Sequence, residues 1–91
     1  MTNRREIEET NRVPTILIVG PYRLFFYSAD GGEPPHVHVE RERSSAKFWL
    51  NPVVLARSRD FARSELLDIQ RIVAENERRL QKAWDDYFGN R

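Results

Sequence analysis

His36, His38 and Glu40 stand at alternate positions in the run HVHVERE, separated by Val37 and Val39. On an extended strand, residues two apart point the same way, so two imidazoles and a carboxylate form a row on one face. Neutral imidazole and carboxylate are ligands for zinc, nickel, manganese or iron, and a catalytic centre needs three protein ligands with an open position. The chain has 2 histidines in all, so any such centre rests on this pair. Glu40 lies too far along the strand to reach a metal held by His36, so another group has to close in, Asp30 or Glu33 from the preceding loop. The same alternation also suits a half-buried strand with Val37 and Val39 toward the core and the histidines toward water or the turn. Spacing alone leaves both readings open.

Arg23 and Lys47, expected on outward faces of neighbouring strands, can join the histidines in a small cationic pocket for a phosphate or carboxylate. The candidate ligand or partner surface is therefore His36, His38, Glu40, Arg23 and Lys47. Arg57, Arg59 and Arg63 near Phe61 form the local basic excess with an aromatic neighbour that a nucleic-acid patch requires, although Asp60 dilutes it. Trp84, Tyr87 and Phe88 read as core closure or a dimer contact. Ser28, Ser44 and Ser45 lack the local signature of an activated nucleophile.

Strands must position these groups. PTILIVG is a short β-branched run stopped by Gly20 and Pro21, and YRLFFYS follows at once, which predicts an antiparallel hairpin. Alternation places Tyr22, Leu24 and Phe26 on its core face and Arg23, Phe25 and Tyr27 on the other. ADGGEPP is dense in turn formers and delivers the chain straight into HVHVERE. SAKFWL, residues 45–50, is the next strand. NPVVLARSRD is ambiguous between a fifth strand and an irregular crossover, because Pro52 breaks the pattern. From about residue 62 the period becomes helical: Leu66, Ile69, Val73, Leu80, Trp84 and Tyr87 recur every three or four positions, with Asn76 filling the gap. The expected fold is α+β, an antiparallel sheet of four to five strands with one long C-terminal helix packed on one face.

The chain has 91 residues, enough for one small domain. Hydrophobic residues make up 40% and charged residues 32%, as in a folded globular protein. The 15 basic and 14 acidic residues supply no overall field toward a phosphate backbone or an anionic membrane. With 0 cysteines there are no disulfides, thiolate nucleophiles or cysteine zinc sites. Residues 1–12 carry one large aliphatic, Ile7, and are expected to be a disordered tail before a single domain over residues 13–88. The N-terminal stretch has no apolar core of the signal-peptide kind, and no run approaches a membrane span, so a cytoplasmic protein with no membrane contact is expected.

The order of pieces, PTI, an aromatic strand, PPHVHV, AKFWL and a long helix with Trp84 near its end, resembles the domain of unknown function 4160 family over residues 13–88. That resemblance implies a compact bacterial α+β domain, often encoded beside another small domain in a layout like a toxin and antitoxin pair. It brings no catalytic roles to His36 or His38. Ala62 stands where similar sequences have a helix-capping serine, which would form a capping box with Glu65. The first expectation for function is a binding or regulatory module whose partner is a small protein from an adjacent gene or a second copy of the chain, with nucleic acid left open. No cofactor is expected on this reading. The alternative is a metal-dependent hydrolase or nuclease, with a divalent ion on His36 and His38 and Arg23 or Lys47 steadying a phosphate.

Overall fold

The computed structural model describes residues 15–89, so the expected tail over residues 1–12 lies outside the described residues. An antiparallel sheet comes first in the chain: β1 (Leu17–Val19), β2 (Tyr22–Phe25), β3 (His36–Arg41), β4 (Ser44–Trp49) and β5 (Val54–Arg59). The strands lie side by side in chain order, a five-stranded meander. Two helices follow, α1 (Arg63–Glu75) and α2 (Glu77–Phe88). β1 and β2 are joined through Gly20 and Pro21, where Gly20 takes a left-handed φ of 56° that a side chain would strain. Between β2 and β3 a 3-10 turn, Ser28–Gly32, uses Gly31 and Gly32, and Pro34 and Pro35 follow it into β3. Pro52 sits in the turn before β5, not inside the ladder, so the ambiguous segment is a strand.

Register sorts the side chains onto two faces. Leu24, Val39 and Ala46 are cross-strand neighbours, as are Val37, Phe48 and Leu55. With Phe26 and Leu50, the buried members of these rows pack against Ile69, Val73, Leu80 and Trp84 of the helices in one hydrophobic cluster. Phe25, His38, Lys47 and Arg57 make one row on the opposite face, and Arg23, Glu40, Ser45 and Arg59 the next.

The expected single long helix is two helices. Asn76, read as filling the apolar stripe, is where the helix breaks: its backbone leaves helical angles at φ −112° and ψ 14°, and its side-chain amide donates to the Ile72 carbonyl at 2.8 Å. Asparagine competes in this way with the backbone ladder. The Asn76 carbonyl then accepts the first bond of α2 from Leu80 N–H at 2.9 Å, so the stripe resumes on the second helix. Tyr87, expected on that stripe, is 52% exposed; Phe88 packs against the cluster instead.

Candidate functional site

The row of polar groups on β3 is not water-facing throughout. Val37 and Val39 are fully buried toward the helices, and His36 is fully buried as well. The turn between β2 and β3 folds over the start of β3, while the His36 ring lies 5.1 Å from Trp84 and 5.5 Å from Trp49. His38 stacks on Phe25 and meets Tyr27 edge-on, with ring centres 5.5 and 4.7 Å apart.

Asp30 is the group that closes in. Its Oδ2 lies 3.1 Å from His36 Nε2 and 3.0 Å from His38 Nε2, and it accepts the Tyr27 backbone N–H at 2.8 Å. The 3-10 turn therefore has a positional task, to hold one carboxylate over two strand residues. Gly31 lets this turn meet the end of α2, since a Cβ there would come within 2.8 Å of the Phe88 ring. Glu33, the other loop carboxylate considered, instead accepts from Lys47 Nζ at 2.6 Å. That bond is the main reason its pKa falls below the usual range. Burial is the main influence on His38 and lowers its pKa, with the Asp30 carboxylate opposing; the imidazole is held neutral at physiological pH.

The other expected residues divide. Glu40 shares the face but belongs to a separate pair with Arg23, 3.6 Å away. Lys47 is buried, ties Glu33 to the sheet and lies over the Trp49 ring at 4.5 Å. Arg57 and Arg59 extend the rows onto exposed β5 and line a groove of about 480 Å³ together with His38, Glu40, Ser45 and Lys47. Arg63 begins α1 and is not part of that groove.

A model of the family described as Domain of unknown function (DUF4160) matches residues 22–85, from the first residue of β2 to near the end of α2. The chain belongs to this family. No curated protein and no solved structure gives a significant match. Every residue of the Asp30, His36 and His38 cluster, and the groove beside it, lies within the DUF4160 match. One cluster of this DUF4160 chain was not read from its sequence. Ala62 is the N-cap of α1 and offers no side-chain bond, and Glu65 reaches the sheet. It accepts both Arg41 Nε and Nη2 at 2.8 Å and the Tyr22 hydroxyl at 2.7 Å. The missing capping serine was the available signal that Glu65 is free for another partner.

Proposed function

We propose that this protein is a small cytoplasmic bacterial binding module that takes an acidic, extended segment of a partner protein onto the sheet face between β4 and β5. The partner is the product of an adjacent gene in a two-gene regulatory system of the toxin and antitoxin kind. The observation that carries this reading is the pair Arg57 and Arg59. Both side chains stand exposed along one groove, and neither has an ion-pair partner among the described residues. Guanidinium groups in that position favour carboxylates through paired, charge-assisted hydrogen bonds.

An acidic protein segment fits better than a nucleic acid. The 15 to 14 charge balance gives no extended field toward a phosphate backbone. Base stacking needs accessible rings, whereas Phe25 in the groove is 1% exposed, which leaves the half-buried Tyr27 as the aromatic open to it. Pairing through the β5 edge is also disfavoured, because a register shift between Lys47 and Phe48 and the two arginines both oppose strand addition. No helix among the described residues is long and apolar enough to cross a membrane, which accords with the proposed location.

The test is co-purification with the adjacent gene product, comparing the native chain with Arg57→Glu/Arg59→Glu. The variant is expected to lose the complex while its melting temperature moves by no more than about 4–8 °C, since exposed substitutions change stability by roughly 0.5 kcal/mol or less each. A complex that survives the double reversal overturns the assignment of the groove. Tighter binding of a single-stranded oligonucleotide, dependent on the same arginines, replaces the protein segment with nucleic acid.

A further inference from the structure

His36 holds a buried atom without a partner. Its Nδ1 lies 2.9 Å from the Pro34 carbonyl oxygen, which can only accept, so Nδ1 carries the hydrogen. In the neutral ring Nε2 then presents a lone pair. That atom is fully buried, makes no hydrogen bond, and lies 3.1 Å from the Asp30 carboxylate oxygen. Two electron-rich atoms face each other, while the same oxygen is hydrogen-bonded to His38 Nε2 at 3.0 Å, a bond that a metal ion would replace. A cation between them resolves the conflict. A shared proton requires a near-linear hydrogen bond, which His36 Nε2 does not make, whereas a metal ion requires only convergence.

We propose that Asp30, His36 and His38 form a binding site for one divalent transition-metal ion of the zinc class, ligated by Oδ2 and the two Nε2 atoms. One ligand atom from each of the three residues lies within 4.8 Å of the others. Metal–ligand bonds of about 2.0–2.1 Å at tetrahedral or octahedral angles hold neighbouring donors about 2.9–3.4 Å apart. The separations from Asp30 Oδ2 to the two Nε2 atoms, 3.1 and 3.0 Å, fall in that interval, and binding has to bring the two imidazole nitrogens equally close to each other. The Pro34 carbonyl on Nδ1 is the outer partner that metal-bound histidines use to fix ring and tautomer. Two imidazoles and one carboxylate suit zinc, cobalt, nickel or iron(II) and are a poor set for magnesium or calcium, which take oxygen ligands. The site joins the turn to the sheet; His38 also lines the groove, but Arg57 and Arg59 are not among the ligands.

The experiment uses the full, untagged chain, stripped with a chelator and titrated with zinc, cobalt and magnesium chlorides by calorimetry and thermal melting. Zinc and cobalt are expected to bind at one ion per chain, with visible cobalt absorption from nitrogen and oxygen ligands. At hundredfold excess over Kd the melting temperature is expected to rise by roughly 10 °C or more, with no comparable gain from magnesium. Asp30→Asn and His38→Gln are expected to weaken zinc at least tenfold each. His36→Ala removes a buried ring and can fail to fold, so the first two variants carry the decision. No stoichiometric zinc on the native chain, or zinc binding unchanged in both Asp30→Asn and His38→Gln, overturns the proposal.

Discussion

Glu65 accepts two hydrogen bonds from the Arg41 guanidinium and one from the Tyr22 hydroxyl, and these, Arg41 foremost, hold its carboxyl below the ordinary range. A carboxyl depressed in the folded state contributes stability above its unfolded value, near pH 4.3, and the contribution fades as pH falls through the folded value. Glu65→Gln is therefore expected to be less stable than the native chain at pH 7, and the gap should narrow below about pH 4. Urea melts at pH 7 and pH 3.5 measure it; a gap that is equal at both values would mean that the ionised carboxylate is not the source. At this scale the sequence exposed chemistry without always exposing partners. His36, His38 and the choice of Asp30 or Glu33 were legible because strand alternation and loop proximity are local rules. The Arg41 bond was not, since its two residues are 24 positions apart and meet only when α1 docks. The full burial of His36 was also hidden, because alternation tells which face a residue shares but not what covers that face.

The elements themselves were more legible than their ends. A period of two marked the strands and a period near 3.6 marked the helices, and the buried rows follow both patterns. The helix break escaped notice because an asparagine inside an apolar stripe has the same spacing whether it continues the helix or interrupts it. Its bond to the Ile72 carbonyl decides between the two. β5 was ambiguous because a proline that ends a turn and one that breaks a strand look alike in sequence. Trp84 joins the two layers, with its ring 5.2 Å from Phe26, 5.1 Å from His36 and 4.3 Å from Phe88. Trp84→Ala is expected to destabilise the fold by about 3–5 kcal/mol, as for a large buried aromatic. Urea denaturation gives the value, and a loss under about 1 kcal/mol would show that α2 holds its place without this ring.

Across the whole molecule the sheet divides its labour: the helices cover one face, and the opposite face is buried near the turn and exposed toward β5. The α+β class and the two hairpins followed from turn residues and hydrophobic period, whereas the order of the strands and the groove follow from lateral registry, which no local pattern states. The distances along the chain also differ sharply. Tyr22 and Glu65 are 43 positions apart, but Asp30 and His38 only 8. Closing a short loop takes little entropy, so the turn and β3 can bring their carboxylate and imidazoles together before either helix arrives. If zinc binds there, it should act on the way into the fold. Stopped-flow refolding is expected to accelerate with zinc while unfolding changes less, since an interaction already made in the transition state speeds folding. The reverse pattern, slower unfolding at an unchanged refolding rate, would place the assembly of these ligands after the helices have closed over the sheet.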